Sequence, residues 1–480
     1  MSTPPLASGP EGTDALRPLL DTVLHALDAG RTARGGPLPA GGPPTVAARL
    51  RQATGDLLPE HGDPNALATV VRALAEGAAD PAHPLCAAHL HCPPLAVATA
   101  ADLAASTLNP SLDSWDQAPA ASELEALVTR TLAAEIYGRA PDGSTPDSPR
   151  PSDPPDSRTP GRPTPGHLGE AVITTGGTEA NQLALLLARE AHGATVRLVC
   201  GTNAHHSLTR AAWLLGLPEP IVVPAPTGRL DPTALATALP DGPTLVAATA
   251  GTTDAGLIDP LPEIAALCRD RGARLHIDAA YGGGLLFSDR HRTKLTGLDT
   301  AHTVTLDLHK LGWQPIAAGL LAVRDPHDLA ALHHHADYLN ADDDTDAGLP
   351  DLLGRSLRTT RRPDALKIAV TLKTLGRTGL AALIDQVCEK AQELAALITA
   401  HPHLRLHSPP TISTVLFRPT AATDDTVAEI RRHLLTDGHA VLGRARLDGR
   451  LWLKATLLNP HTRTADLTAL LRLVEGHTPA

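Results

Sequence analysis

Between residues 169 and 323, short apolar runs alternate with segments whose apolar residues recur at helical spacing. The runs are typical of strands buried on both faces, because they are short and rich in Val, Ile, Leu and Ala. They cover 171–174, 196–200, 244–249, 274–277, 304–306 and 317–323, and helical spacing lies at 179–191, 207–217 and 262–271. This alternation predicts an α/β domain in which a mostly parallel sheet lies between helices.

The N-terminal region and one later segment have a different texture. Residues 1 to about 45 are rich in Pro, Gly and Ala, so we expect them to be only partly ordered. Helical spacing follows at 46–58 and 64–76. Residues 139–166 are dominated by Pro, Ser and Asp. Such a segment cannot bury enough apolar surface to offset its ordering entropy, which predicts a disordered insertion.

From about residue 379 the pattern becomes α+β, with a helix predicted at 380–399, strands at 411–417 and 451–455, and further helices. A change of this kind indicates a separate structural unit. We therefore expect an N-terminal helical and partly disordered segment (1–82), a large domain (83–378) and a small C-terminal domain (379–480).

Composition narrows the functional classes. The chain has 480 residues and a formal net charge of −11, which argues against nucleic acid or an anionic membrane surface as a partner. Its five Cys show no CxxC spacing, so we expect a reducing, cytoplasmic location without disulfides or structural zinc. No apolar run follows a basic start or approaches the length of a membrane span, which predicts neither signal peptide nor membrane anchor.

Polar and glycine-rich segments follow the predicted strands at their carboxyl ends, where open parallel sheets bind ligands. In chain order they are TGGTEAN (175–181), NAHHS (203–207), AGTT (250–253), DAAYGGG (278–284) and DLHK (307–310). Two glycines before a helix start predict a phosphate cradle, because the free N–H groups and the helix dipole favour an anion. An ordinary glycine turn with Thr178 as helix N-cap is the alternative.

The other strand ends carry side chains with complementary chemistry. His205 is placed to stack on a planar ring, although a histidine there is often just a satisfied polar residue. A buried Asp278 needs a cationic or hydrogen-bonding partner, and a protonated pyridine nitrogen would serve. Lys310 beside His309 is a candidate Schiff-base amine, although most lysines are solvated surface charges. Together with the cradle, these are the parts that a pyridoxal phosphate site requires.

The same segments resemble those of the group II pyridoxal-phosphate-dependent amino acid decarboxylases. The resemblance is carried by TTGGTEAN, NAHHSLTRA, TAGTTDAGLIDP, HIDAAYGGG and DLHKLGWQP, and further by HPLCAAHLHCPP, LNPSLDSWDQAPAASELE, SLRTTRRPDALK and LKATLLNP. It extends over about 83–138 and 167–470. It implies a fold-type-I homodimer, with the mostly parallel sheet in the large domain and a small α+β C-terminal domain.

The resemblance also implies roles for individual residues. Lys310 would bind pyridoxal 5'-phosphate as a Schiff base, Asp278 would pair with the pyridine nitrogen, and His205 would stack on the ring. Tyr338 matches the tyrosine of the family's mobile loop, which protonates the substrate carbon after carbon dioxide leaves. Further cofactor-binding residues near the phosphate or ring substituents would be Gly177, Thr178, Thr252, Ala280 and His309.

The substrate class is indicated by resemblance to one branch of the family. HLHCPP, DLHKLGWQP and SLRTTRRPDALK look like the branch that acts on L-2,4-diaminobutyrate. His89 and His91 would make the matching wall polar, and the alternative is that both are solvated histidines and that Cys92 has a packing role. We therefore expect decarboxylation of a diamino acid. The alternatives are an aromatic or acidic substrate, aldehyde synthesis, transamination, or a non-catalytic cofactor-binding scaffold. No metal site is predicted, since His333-His334-His335 lacks carboxylate or Cys partners at ligand spacing.

Overall fold

The computed structural model describes residues 4–138, 169–336 and 338–478. The insertion predicted at 139–166 lies outside the described residues.

The described residues form helices and strands over most of their length. The α-helices are α1 (Gly12–Arg34), α2 (Gly42–Thr54), α3 (Ala66–Gly77), α4 (Ala96–Leu108), α5 (Pro119–Tyr137), α6 (Gly177–His192), α7 (His206–Leu214), α8 (Pro232–Ala238), α9 (Leu261–Arg271), α10 (Leu308–Leu311), α11 (Asp342–Asp346), α12 (Ala365–Ala400), α13 (Asp424–Thr436) and α14 (Thr464–Gly476). The strands are β1 (Cys86–Ala87), β2 (Glu170–Thr174), β3 (Arg197–Gly201), β4 (Ile221–Val223), β5 (Thr244–Thr249), β6 (Arg274–Asp278), β7 (Thr303–Asp307), β8 (Gly319–Val323), β9 (Leu404–Leu406), β10 (Thr414–Pro419), β11 (Val441–Leu447) and β12 (Arg450–Thr456). Short 3-10 helices cover Gly282–Phe287, Arg292–Leu295, Leu298–Thr300, Pro326–Leu332 and Leu353–Arg355.

The larger of two compact units comprises Pro94–Asp385 and contains a seven-stranded sheet in the order β2-β8-β7-β6-β5-β3-β4. Strands β7, β6, β5, β3 and β4 pair in parallel, whereas β8 is antiparallel to both β7 and β2. Every residue of β5, β7 and β8 is buried, as expected for strands covered on both faces. The predicted α/β class with a mostly parallel sheet is confirmed.

The smaller unit joins the residues up to Pro93 with those from Gln386 onward. Its five-stranded sheet has the order β1-β11-β12-β10-β9, and all pairs except β1 with β11 are antiparallel. Helices α13 and α14 contribute Val427, Ile430 and Leu470 to its apolar core. The sequence pattern did not predict that the N-terminal segment belongs to the same unit as the C-terminal residues.

The N-terminal region is more regular than its composition suggests. Residues 1–45 were expected to be only partly ordered, but helix α1 occupies Gly12–Arg34. Its packing on α3 explains the difference, because Gly30 lets the two backbones approach closely. A Cβ at Gly30 would lie 2.5 Å from the carbonyl oxygen of Arg72 and 2.6 Å from the Cβ of Ala75. Local composition therefore underestimated a helix that is held by a tertiary contact.

No helix in the described part of the chain is both long and apolar enough to cross a membrane. No disulfide joins any of the five cysteines, all of which lie in the described part of the chain.

Candidate active site

Strands β6 and β7 end side by side and bring two carboxylates to one edge of the sheet. Their parallel register pairs His276 with Thr303 and Asp278 with Thr305. Asp278 is the last residue of β6, and Asp307 is the last residue of β7. The carboxyl ends of parallel strands are where α/β sheets place ligands.

Lys310 lies directly after β7, in the short helix α10, and contacts Asp307. Its Nζ is 3.0 Å from Asp307 Oδ2, and the Nε2 of His309 is 3.3 Å from the same oxygen. The Asp307 side chain is only 3% exposed, and its Oδ1 has no hydrogen-bond partner among the described residues. The predicted amine is therefore held beside a buried carboxylate that has an unused oxygen.

Gly176 and Gly177 form the turn at which the sixteen-residue helix α6 begins. A Cβ at Gly177 would lie 3.0 Å from the Cβ of Ala280 and 3.2 Å from Asp307 Oδ2. A Cβ at Gly176 would lie 3.0 Å from the Cε1 of His309. The two glycines therefore keep the space open between the helix N-terminus and the β7–α10 segment, as a phosphate cradle requires.

Asp278 is held at two points and is 5% exposed. Its Oδ1 accepts a hydrogen bond of 3.0 Å from the backbone N–H of Ala280, and its Oδ2 accepts one of 2.9 Å from the Nδ2 of Asn181. A carboxylate oxygen has room for a further donor besides these. The geometry fits the predicted partner of a protonated ring nitrogen.

His205 caps the N-terminus of α7. Its Nδ1 lies 2.8 Å from the Oγ of Ser207 and accepts a 3.3 Å hydrogen bond from the backbone N–H of Ser207. Burial lowers the pKa of His205 below its ordinary value, so the ring is neutral at neutral pH. A neutral, oriented imidazole suits stacking on a planar ring.

The remaining predicted residues divide into those near this group and those apart from it. Ala280 and His309 belong to the group through the contacts given above, whereas Thr178 is exposed in the first turn of α6. The hydroxyl of Thr252 accepts a hydrogen bond of 3.1 Å from the N–H of Leu257 within its own loop. Tyr338 is 82% exposed, so it takes no part in the buried contacts around Lys310.

Sequence reasoning assigned no role to the polar residues that lie beneath the predicted ones. Asn181 reaches from α6 to Asp278, and it also contacts Ser207 of α7, His276 of β6 and Thr305 of β7. The strand sequences do contain a pattern that indicates this polar cluster. In β6, His276 and Asp278 alternate with apolar residues, and β7 shows the same alternation at Thr303, Thr305 and Asp307. Alternation places such residues on one face.

One group of potential metal ligands lies elsewhere, in the smaller unit. Asp437, His439 and His477 each offer a ligand atom, and these atoms lie within 4.8 Å of one another. Two of the three residues are exposed, and none belongs to the triple-histidine segment. These residues belong to the smaller unit, whereas the residues around Lys310 belong to the larger one.

The residues around Lys310 fit pyridoxal phosphate. The glycine turn at a helix N-terminus suits the phosphate, Asp278 suits the pyridine nitrogen, and Lys310 suits the aldehyde. Asp307 Oδ1 is buried and has no hydrogen-bond partner among the described residues, so a further acceptor is present beside Lys310. These assignments remain predictions for the individual residues.

Comparison with known proteins agrees with this chemistry. Residues 50–420 match the family described as pyridoxal-dependent decarboxylase conserved domain. An L-2,4-diaminobutyrate decarboxylase of Rhizobium meliloti is 40% identical, in an alignment covering 97% of this chain and 93% of the relative. An L-2,4-diaminobutyrate decarboxylase of Acinetobacter baumannii is 31% identical, with 82% and 79% covered.

Solved structures show the same architecture. A crystal structure from Vibrio parahaemolyticus is described as the glutamate decarboxylase domain of diaminobutyrate-pyruvate transaminase and L-2,4-diaminobutyrate decarboxylase. It superposes with a TM-score of 0.81 at 28% identity, covering 98% of this chain and 97% of that one. The Oryza sativa protein TDC, solved with PLP and tryptamine, has a TM-score of 0.83 at 23% identity, covers 98% of both chains and supports the fold alone. This chain belongs to the family of pyridoxal-phosphate-dependent amino acid decarboxylases.

Proposed function

We propose that this chain removes carbon dioxide from a diamino acid, with L-2,4-diaminobutyrate as the leading candidate and 1,3-diaminopropane as the product. The observation that carries the proposal is the nearly full-length match, at 40% identity, to a relative with that named activity. The buried Asp278 and the half-buried Lys310 and His205 support it by supplying the parts that the chemistry needs. The cytoplasmic location expected from the cysteine content is part of the same proposal.

The proposed roles follow from the contacts of each residue. Lys310 holds the cofactor covalently, Asp278 pairs with its ring nitrogen, and the turn at Gly177 with the N-terminus of α6 holds its phosphate. His205 stacks on the ring and, being neutral, adds no second charge there. When bound, pyridoxal phosphate supplies an electron-withdrawing ring for the electron pair of the broken Cα–carboxylate bond.

Tyr338 is the proposed proton donor to the substrate Cα. Its side chain is 82% exposed, so it reaches a reacting carbon only after a movement of its turn or from the partner chain of a homodimer. A donor that arrives late suits this step, because protonation follows the departure of carbon dioxide. Tyr338→Phe is expected to leave cofactor binding intact and to divert product from amine towards aldehyde, with dioxygen as the oxidant and ammonia and hydrogen peroxide as the other products.

The proposed homodimer is supported by apolar surface on the N-terminal helices. Leu24 and Leu27 of α1 are 63% and 45% exposed, and Val70 and Leu74 of α3 are 39% and 63% exposed. Residues three or four positions apart lie on one face of a helix, so each helix presents an apolar stripe. A second copy of the chain is the proposed occupant of these stripes.

The first experiment is product analysis by mass spectrometry. The cofactor-loaded protein is incubated with L-2,4-diaminobutyrate, ornithine, aspartate, glutamate and aromatic amino acids. We expect 1,3-diaminopropane and carbon dioxide as the main products. Turnover of only aromatic or acidic substrates would refute the substrate assignment, and formation of keto acid or of aldehyde with peroxide would refute the reaction.

Covalent trapping tests the amine independently of the substrate. Borohydride reduction followed by peptide mapping should place the cofactor on Lys310, and Lys310→Ala should abolish the trapped adduct. Lys373→Ala is the matched control, because Lys373 is an exposed lysine of α12 in the same unit. An adduct that persists in the Lys310 variant would show that another amine holds the cofactor.

A further inference from the structure

Asn181 lies at the centre of a buried hydrogen-bond network under the proposed cofactor site. It is fully buried, at 0% exposure, one turn into α6. Its Nδ2 is 2.9 Å from Asp278 Oδ2 and 2.9 Å from the Oγ of Ser207. Its Oδ1 is 3.0 Å from the Nε2 of His276 and 2.9 Å from the Oγ1 of Thr305. The primary amide therefore uses two donors and two acceptor positions, which is its full capacity.

The direction of each hydrogen bond follows from Asp278. An ionised carboxylate only accepts, so the Asn181 amide must present its N–H to Asp278 and its oxygen to His276. His276 must therefore carry its proton on Nε2, and its Nδ1 is left to accept from the hydroxyl of Thr303 at 2.9 Å. Burial lowers the pKa of His276 to about 4, which agrees with a neutral ring.

The second N–H of Asn181 fixes the other branch of the network. It is donated to the Oγ of Ser207, so the Ser207 hydroxyl is free to donate to the Nδ1 of His205 at 2.8 Å. The backbone N–H of Ser207 points to the same nitrogen. The Nδ1 of His205 is therefore an acceptor, and its proton lies on Nε2.

We propose that Asn181 is a positioning residue that couples Asp278 to His205. It orients the carboxylate towards the ring nitrogen of the cofactor and, through Ser207, fixes the tautomer of the stacking imidazole. The inference rests on the roles proposed above for Asp278 and His205. The new element is that the buried amide of Asn181, 97 residues away from Asp278 in sequence, orients both the Asp278 carboxylate and the His205 ring.

The test compares two cofactors in the absence of substrate. Pyridoxal phosphate has a ring nitrogen, whereas its 1-deaza analogue carries a C–H in that position and cannot pair with Asp278. Dissociation constants for both are measured by fluorescence titration of the full chain. Asn181→Leu leaves Asp278 with the Ala280 N–H as its remaining donor of the two described, so its carboxylate is no longer held towards the ring.

We expect Asn181→Leu to weaken binding of pyridoxal phosphate by roughly 10- to 100-fold, as follows from the loss of a hydrogen bond to a charged group. Binding of the 1-deaza analogue should weaken less, and only as much as Ser207→Ala weakens it, because the analogue makes no bond to Asp278 and loses only the contribution that passes through Ser207 to His205. Ser207→Ala separates the two branches, and it should leave the ratio of the two dissociation constants as in the unmodified chain. Ser288→Ala is the control for loss of a buried hydrogen bond elsewhere, since Ser288 bonds Asp385 outside the network.

Asn181→Ser provides a second variant with a smaller change of polarity, in case the leucine variant does not fold. As in Asn181→Leu, the dissociation constant of pyridoxal phosphate should rise more than that of the 1-deaza analogue. Equal weakening of both cofactors in the folded variants would mean that Asn181 has only a structural role and would overturn the inference. Failure of the unmodified chain to bind pyridoxal phosphate would instead overturn the proposed function, and the inference with it.

Discussion

At the scale of single residues, His276 is an ionisable side chain that burial keeps uncharged. It is fully buried between Thr303 and Asn181, and burial lowers its pKa from 6.5 to about 4, although the nearby Asp278 opposes the shift. In the unfolded chain the same imidazole titrates near its ordinary pKa. Between those two values the unfolded chain binds a proton that the native protein does not bind.

This difference predicts a loss of stability in mild acid. The contribution of His276 to the free energy of unfolding is fully present above pH 6.5 and falls as the pH drops from 6.5 towards about 4. The loss reaches up to about 3 kcal/mol at the lower end. Urea unfolding of the unmodified chain and of His276→Gln, at several pH values across this window, measures it.

The glutamine variant should show a flatter dependence on pH, because its side chain does not titrate. His61→Gln, at an exposed histidine of the smaller unit, is the matched control and should keep the slope of the unmodified chain. Identical slopes in the unmodified chain and His276→Gln would contradict the assignment of a buried, neutral His276.

At the scale of elements, the limits of sequence reasoning are visible in β6 and β7. Both strands were predicted from their apolar residues, and the predicted Asp278 and Lys310 lie where those strands end. Asn181 was quoted in a motif but given no role, because its contact with Thr305 joins residues 124 positions apart. The alternation of polar and apolar residues shows which side chains share one face of a strand. It does not show that Asn181 of α6 contacts them, because that contact depends on tertiary packing.

Strand β8 illustrates another feature that the sequence did not reveal. Gly319 was assigned to an apolar strand, but the antiparallel register places it between Thr174 and Asp307. A Cβ at Gly319 would lie 2.4 Å from the Cα and 2.5 Å from the nitrogen of Gly176. Because these are backbone atoms, the proposed phosphate turn would have to shift.

Gly319→Ala is therefore expected to weaken cofactor binding by at least about fivefold, since overpacking typically costs about 1–3 kcal/mol. Gly476→Ala is the control, because a Cβ there meets no atom within 4 Å. Fluorescence titration with pyridoxal phosphate compares the two variants with the unmodified chain. Normal affinity in a folded Gly319→Ala variant would show that the turn is not part of the phosphate site.

At the scale of the whole molecule, the N-terminal helices carry apolar surface that a single chain leaves exposed. Helices α1 and α3 pack through Gly30 and Ala75, which directs other faces of the two helices outward. Those faces carry Leu24 and Leu74, both 63% exposed. Residues 1–45 were expected to be only partly ordered because they are rich in Pro, Gly and Ala. Such a composition does not show which face of a helix packs against another helix, as α1 packs on α3 at Gly30.

A homodimer that covers these stripes predicts a specific response to charge. Size-exclusion chromatography with light scattering should give about 100 kDa for the unmodified protein, twice the 49.9 kDa of one chain. The double variant Leu24→Asp with Leu74→Asp should dissociate at micromolar concentration, because a stable interface does not bury unpaired carboxylates. Leu108→Asp places the same charge at a 70% exposed leucine at the end of α4 and should leave the mass unchanged. A dimer that persists in the double variant would mean that the second copy binds elsewhere, whereas a monomeric unmodified chain would remove the dimer from the proposed function.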